Sequence, residues 1–573
     1  METWDLTDLC ADDKTALSII KDCLKDAKDF AKQYQDLFKA APEEHTLNKA
    51  LTQYEALLEV VYKLLSYSSL KHSVNLDDDE VGKLYQAIME MYAQIKTELV
   101  FFENGLVKLP KLPYKTKYDY FLETLRLHKA HILDDATEQY ASQKSLPSRS
   151  AWVRLYDEIL ADIVFDFDGE KLNLEELLSK MSDLDEETRT KAAFALGEGL
   201  KSQEKIFVRI INALAQNHKI ENAFRDFKHP DDAKHLDNQI EKVVVDLLTD
   251  TVKENYKNIS HRYYKLKAKI LGKDKIEYWD RNVPLFIGDQ AKDISYEEGK
   301  EIVKKAYEAF SPRLADLVQE FYDKPWIEVY PGKGKTSGAF SHPTVPSAHP
   351  YILLNYQGKM RDVATLAHEL GHGVHQMLSR KQGLLLADTP LTIAETASVF
   401  GEMLTFEELK KHNPKRMLAS KIEDMLNTVV RQIAFYEFEK AAHQEIKENG
   451  ELTLKELNGI FRRTQEEALG EGVNLDPVVD GFWAYISHFI HSPFYVYAYA
   501  FGDCLVNSLY MKYKQASDKK DFEEKYIEFL SAGGSKSYSD LLKPFDLDPR
   551  QKSFWENGLK VISDMIDELE ALL

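Results

Sequence analysis

Cysteine is nearly absent from this chain. Three residues in 573, at positions 10, 23 and 504, are too few and too scattered for a disulfide framework or a cysteine-rich metal site. Such usage fits a reducing compartment, and a cytoplasmic protein is expected. No run of about 18 apolar residues occurs, so no membrane-spanning helix is expected. The opening Met-Glu-Thr-Trp-Asp-Leu is acidic and lacks an apolar stretch, so no signal peptide is expected. Positive charge is in deficit: 74 Lys and Arg face 95 Asp and Glu, a net charge of −21. That balance argues against nucleic acid and anionic membranes as partners. There is no internal repeat and no low-complexity segment. What remains is globular in character, 44% hydrophobic and 11% aromatic, with enough apolar material for a large core.

The most informative stretch is Asp362-Val-Ala-Thr-Leu-Ala-His-Glu-Leu-Gly-His-Gly-Val-His375. Apolar residues at 363, 366, 370, 374 and 377 have helical spacing, and Asp362 is placed to act as N-cap. On a helix, His368 and His372 project from one face and can share a Zn²⁺ ion, while Glu369 stands beside them as a general base. A solvated pair of histidines on a surface helix would give the same five letters. The apolar run 363–367 argues against it, because a buried helix does not leave such groups unpaired.

A catalytic zinc needs a third protein ligand and an open position. Downstream, Pro390 and Thr392 mark a helix start, followed by Glu395-Thr-Ala-Ser398-Val-Phe-Gly-Glu402. Glu395, Ser398 and Glu402 share one helical face. Glu395 is assigned as the third ligand. Glu402 is assigned as the acceptor that holds an imidazole N–H. Ala394 and Ala397 flank the site with small side chains that permit close helix contact.

His-Glu-Leu-Gly-His-Gly-Val-His followed by Glu-Thr-Ala-Ser-x-x-x-Glu resembles the thimet oligopeptidase family of zinc metallopeptidases, in its oligoendopeptidase F branch. The resemblance covers residues 180–573, and the N-terminal part by helical character alone. It implies a mainly α fold: a large helical zincin-type peptidase with a deep substrate channel that admits short peptides, and a small β-sheet next to the H-E-x-x-H helix. Two domains are expected, an N-terminal helical domain over 1–180 and a zinc peptidase domain over 181–573.

Along the chain, amphipathic helices are predicted over 12–39, 46–70 and 78–104, then 117–143 and 150–163. Asp77–Glu80 reads as charge at a helix N-terminus rather than a calcium loop. Phe165-Asp-Phe-Asp-Gly169 carries a hairpin signal, with an irregular turn as the other reading. Helices dominate from 185 to 322 and return over 415–447 and 453–470. Between them, 326–330, 336–341 and 351–355 read as short strands. An exposed edge strand there can hydrogen-bond an extended peptide, with Gly338 and Ala339 allowing a backbone to approach. His342 and His349 read as loop histidines. His375 lies on the zinc helix face, but the family pattern favours Glu395 as ligand, leaving His375 packed.

A second functional stretch is Phe482–Gly502, which holds His488, His491, Tyr495, Tyr497 and Tyr499. The family has a histidine followed by tyrosines here, implying a carbonyl-polarising Tyr and a substrate-binding His. Tyr497 is assigned as oxyanion donor and His488 as a transition-state contact, with His491 and Tyr495 as further substrate contacts; aromatic core packing accounts for the remaining rings. The expected activity is hydrolysis of internal bonds of short, unstructured peptides, with one Zn²⁺ held by His368, His372 and Glu395 and with Glu369 as base. A carboxypeptidase or peptidyl-dipeptidase with the same chemistry is the nearest alternative. A non-catalytic helical peptide-binding protein and a di-iron bundle are remoter. The di-iron reading needs a second Glu-x-x-His, which the sequence lacks. The oligomeric state is left open.

Overall fold

A computed structural model describes residues 2–286, 293–411 and 413–573. It is mainly helical, as expected. The chain forms two compact units, each assembled from separated segments. The first comprises Met1–Lys129, Lys292–Lys411 and Lys512–Leu547; the second comprises Ala130–Ala291, His412–Met511 and Asp548–Leu573. The boundary expected near residue 180 falls inside the second unit. Sequence segments need not coincide with compact units when the chain passes back and forth between them.

The first unit begins with three long helices, α1 (Asp13–Tyr34), α2 (Glu44–Ser73) and α3 (Asp79–Lys108). Asp12 and Asp78 cap α1 and α3 by accepting backbone N–H bonds, so the acidic run 77–80 is a helix start. Phe30, Tyr54 and Phe102 interlock between the three, with ring centroids 5.0–6.2 Å apart. Later in the unit come α4 (Tyr296–Phe310) and α5 (Pro312–Asp323). A three-stranded sheet follows: β1 (Ile327–Glu328), β2 (Phe340–His342) and β3 (Tyr351–Leu353). The order is β1-β3-β2. β1 pairs parallel to β3 with Ile327 opposite Ile352, and β2 pairs antiparallel with Phe340 opposite Leu353. The flank of β1 is covered by the N-terminal segment, where the Val329 N–H donates to the Glu2 carbonyl (3.0 Å). β2 is the opposite edge. The strands are shorter than the sequence runs that predicted them, and in the middle run Gly338, at positive φ, precedes the paired residues.

The sheet leads into α6 (Met360–Ser379), and α7 (Thr396–Lys410) packs closely against it. Asp362 is not the N-cap of α6. Lys359 occupies that position, and Asp362 sits three residues on, its carboxylate accepting from the Lys359 and Gln357 N–H groups (3.0 and 2.8 Å). The helix therefore starts earlier than its apolar periodicity indicated.

The second unit is also helical. It contains the hairpin Phe165–Phe167 and Glu170–Leu172, with Asp168 and Gly169 both at positive φ (53° and 86°), the turn that twisted antiparallel strands favour. The helix predicted over 415–447 is two helices, Pro414–Thr428 and α8 (Val430–Asn449), broken at Val429. α9 (Tyr497–Gln515) begins in this unit.

Candidate metal centre and active site

α6 and α7 cross at unusually short range because small residues line the crossing. A Cβ built on Gly371 would meet the Ala397 carbonyl oxygen at 2.4 Å and Ser398 Cα at 2.6 Å. One built on Gly401 would meet the Tyr307 hydroxyl at 2.0 Å. That hydroxyl donates to the Ala367 carbonyl (3.1 Å), tying α4 to α6. Gly371 lies between the two histidines, so the close crossing brings α7 to the metal-binding face. Its glycines and alanines at spacing four are the sequence signal for this arrangement.

Glu395 occupies the bend between a short helical turn (Leu391–Ala394) and α7. Its Oε2 lies 3.5 Å from His368 Nε2 and 3.4 Å from His372 Nε2. Ligands at about 2.05 Å in tetrahedral array stand about 3.3 Å apart, so Glu395 Oε2 stands at zinc-ligand spacing from both imidazoles, and all three donors lie within 4.8 Å of one another. They are the one His/Cys/Asp/Glu group with metal-binding spacing among the described residues. The Ser398 hydroxyl donates to Glu395 Oε2 (2.7 Å) and fixes its rotamer.

His368 Nδ1 lies 2.6 Å from Glu402 Oε1, the carboxylate–imidazole contact that turns Nε2 toward the metal position. Burial alone would lower the His368 ring, but the Glu402 carboxylate, together with Glu369 and Glu395, outweighs it and lifts it to about 9. The field that holds a proton there stabilises a metal cation in its place. Burial pushes Glu395 up, yet His372 and His368 prevail and hold it down to about 2. Glu369 is 6% exposed, and burial pushes its carboxyl up against the opposing pull of the two histidines. A carboxylate raised toward neutrality is suited to take up and return a proton.

His375, His349 and His342 are each held by packing or a local hydrogen bond. His375 is 5% exposed, with Nε2 buried and unpartnered. His349 stacks on Trp326 at 3.8 Å. His342 Nδ1 accepts from the Thr344 N–H (3.0 Å).

Gly338 and Ala339 immediately precede edge strand β2. Gly338 has φ +80°, and a Cβ there would meet nothing within 4 Å. Its glycine is thus required by the backbone turn, not by a crowded approach. Asn355 Nδ2 donates to the carbonyls of Thr336 (3.0 Å) and Gly338 (2.8 Å) and shapes that turn. On β2, Ser341 bonds Gln376 of α6 (2.9 Å), which links the edge strand to the helix of the histidines.

The 482–502 stretch lies in the second unit. Tyr497 is fully buried, and its hydroxyl is engaged by Asn238 Nδ2 (2.8 Å) and His235 Nδ1 (3.1 Å). Asp231 completes the cluster, accepting from the Tyr436 hydroxyl (2.5 Å) and lying 3.3 Å from His235 Nε2. Asn238 and His235, more than 250 residues from Tyr497 in sequence, left no local signal. His491 Nε2 lies 2.8 Å from Asp157 Oδ1. Half-buried His488 instead meets the Tyr499 hydroxyl at 3.2 Å, and Tyr495 packs against both rings.

Two imidazoles and a carboxylate at zinc spacing, with a buried glutamate beside them, define a metallopeptidase of the H-E-x-x-H type. Comparison with known proteins specifies which. The sequence profile described as Peptidase family M3 matches residues 179–561, and that of Oligopeptidase F matches 108–165. The chain belongs to Peptidase family M3 and is a zinc metallopeptidase of the oligoendopeptidase F type. It is 27% identical over 595 residues to the Oligoendopeptidase F homolog of Borreliella burgdorferi, covering 100% of this chain and 98% of the relative. It is 26% identical over 559 residues to Oligopeptidase PepF of Bacillus subtilis, covering 93% and 82%. A crystal structure from Chlamydophila abortus matches it with a TM-score of 0.87 at 25% identity, covering 100% of this chain and 98% of that one.

Proposed function

We propose that this metallopeptidase hydrolyses internal bonds of short, unstructured oligopeptides, using one zinc ion and Glu369 as general base. The observation that carries the reading is the convergence of His368, His372 and Glu395 at metal-binding spacing, with buried Glu369 beside them. Zinc, when bound, supplies a Lewis acid for the scissile carbonyl and lowers the pKa of water. Glu369 accepts a proton from the attacking water and delivers it to the leaving amine. Glu402 and Ser398 hold His368 and Glu395 in their ligating orientations. Edge strand β2, entered through Gly338 and Ala339, pairs with the backbone of an extended peptide.

For the oxyanion we favour Tyr499 over Tyr497. The Tyr497 hydroxyl is already engaged by His235 and Asn238, whereas Tyr499 bonds His488, which we retain as a transition-state contact. Tyr495 is retained as a substrate contact. His491, paired with Asp157, is the weakest of that set. Cys10, Cys23 and Cys504 are buried and free, which supports a cytoplasmic setting.

The test is cleavage of a ten-residue unstructured peptide, followed by mass spectrometry, with wild type and Glu369→Gln. Internal cuts that disappear in a variant of undiminished zinc content support the reading. Losses confined to the termini would shift it to a carboxypeptidase or peptidyl-dipeptidase. Normal turnover by Glu369→Gln would remove the general-base assignment.

A further inference from the structure

Of the three residues in β2, Ser341 is the one that turns its backbone to the sheet edge. On β3, the Ile352 and Leu354 N–H groups donate toward β1, to the Trp326 and Glu328 carbonyls (2.9 and 2.8 Å). Backbone groups alternate in direction along a strand, so Tyr351 and Leu353 turn theirs toward β2. The residues opposite them are His342 and Phe340. These two therefore spend their N–H and C=O on the ladder. Ser341, between them, directs both of its groups outward, where an added strand would pair.

Ser341 is also the residue that α6 holds. Its hydroxyl donates to Gln376 Oε1 (2.9 Å), and Gln376 Nε2 reaches back to its carbonyl oxygen (3.4 Å). The second contact is long, and the first orients the amide that makes it. A backbone carbonyl has two acceptor directions, so it can take this N–H and one more from a peptide. Gln376 thus touches the same carbonyl that a paired substrate needs.

Gln376 stands four residues beyond His372 and eight beyond His368. Each step of four advances about 6 Å along a helix and rotates about 40°, so the three share a flank of α6. Arg380, four further on, donates to the Ala348 carbonyl in the connection between β2 and β3 (3.0 Å). The flank that presents the metal ligands therefore continues onto the sheet. It grips the sheet at the outward carbonyl and again at the loop behind it. α6 and β2 belong to the same compact unit.

We propose that Gln376 is a positioning residue that sets which bond of a bound peptide lies at the metal. It fixes the Ser341 carbonyl relative to His368 and His372, and the repeat of the strand turns that position into a register. A peptide paired with β2 keeps its two faces only if it slips by two residues, about 6.8 Å. A smaller displacement of the edge misplaces the scissile carbonyl, and an error of about 1 Å at the reacting centre can cost about 10²-fold in rate. The assignment rests on the reading that β2 pairs with the substrate and that the zinc site cleaves it.

The test is the product distribution from an unstructured decapeptide, quantified by mass spectrometry, for wild type, Gln376→Met and Gln376→Glu. Methionine keeps the length of the side chain and removes both hydrogen bonds. Glutamate still accepts from the Ser341 hydroxyl but sets an oxygen against its carbonyl. Each variant is expected to lower kcat/KM by at least about tenfold, and to shift the ratio of the main cut to cuts at neighbouring bonds by at least about fivefold toward evenness. Zinc affinity is expected to stay within about twofold of wild type, because Glu402 and Ser398 still hold His368 and Glu395. A side chain that only stabilises the fold would lower every cut in proportion and leave the ratio alone. Peptides carrying an ester in place of one non-scissile bond at a time delete one N–H each. In wild type one replacement is expected to cost about tenfold in kcat/KM, and in Gln376→Met the same replacement less than about threefold.

An unchanged cut ratio in both variants, where wild type responds to an ester, overturns the assignment and leaves the pairing reading intact. Loss of zinc from both variants also overturns it, because Gln376 would then support the metal site rather than the register. A wild type indifferent to every ester, or one that cleaves nothing, removes the pairing reading and the assignment with it. Should Gln376→Met fail to fold, the nearly isosteric Gln376→Glu decides.

Discussion

Replacing Gly371 by alanine tests the crossing that assembles the metal centre. In an ordinary helix interior this change is stabilising by about 1 kcal/mol, because alanine restricts the unfolded chain. Here the added Cβ would stand 2.4 Å from the Ala397 carbonyl oxygen and 2.6 Å from Ser398 Cα. Both are backbone atoms of the facing segment, so no rotamer change relieves the clash. Restoring normal contact requires α6 and α7 to part by about 1 Å at this point. Ligand distances in zinc sites tolerate about 0.2 Å. Glu395 and Ser398 move with α7 while His368 and His372 stay with α6, so the shift is taken up directly by the coordination sphere.

Overpacking of this kind costs about 1–3 kcal/mol, enough to reverse the helix-propensity gain. Zinc affinity is expected to fall by at least about 10–100-fold, the range seen when support of a ligand is lost. Competition against a chromogenic chelator measures the affinity, and thermal melts of the metal-free protein measure the stability. Gly459→Ala serves as control, since a Cβ there meets nothing within 4 Å and should be neutral or stabilising. Zinc affinity within twofold of wild type, together with an unchanged or raised Tm for Gly371→Ala, would refute the argument.

Glu402→Ala should weaken zinc binding by about 10–100-fold through loss of the contact to His368 Nδ1, measured by the same chelator competition. Tyr497→Phe strips buried Asn238 and His235 of a partner and should lower stability by about 1–3 kcal/mol in urea melts, with kcat little altered. Tyr499→Phe should keep stability and lose about 10²-fold in kcat; the opposite pattern would return the donor role to Tyr497. Burial holds His443 down to about 3 against its ordinary 6.5, so the folded protein keeps this ring neutral. Unfolded chains bind the extra proton, and the stability present above pH 6.5 is lost as pH falls through 6.5 toward 3. The slope is up to about 1.4 kcal/mol per pH unit from this group, and urea melts of His443→Gln should show it reduced.

The metal site was legible in sequence because its chemistry is local. His368, Glu369 and His372 lie within one helical turn and a half, where 3.6-residue geometry alone decides which side chains converge. Glu395 and Glu402 were reachable because the facing helix repeats the same periodicity and carries small residues at the contact. Most of the helices followed from apolar spacing for the same reason, whereas the turn at 168–169 left a hairpin and an irregular turn both open until the pairing of 165–167 with 170–172 decided it. Tertiary structure decided whatever depends on partners distant in the chain. It ties the Tyr497 hydroxyl to Asn238 and His235, and pairs His491 with Asp157. It also gathers compact units from three segments each. Periodicity fixes the face on which a residue lies; only the packed fold fixes what that face meets, because burial and ion pairing are properties of the neighbours.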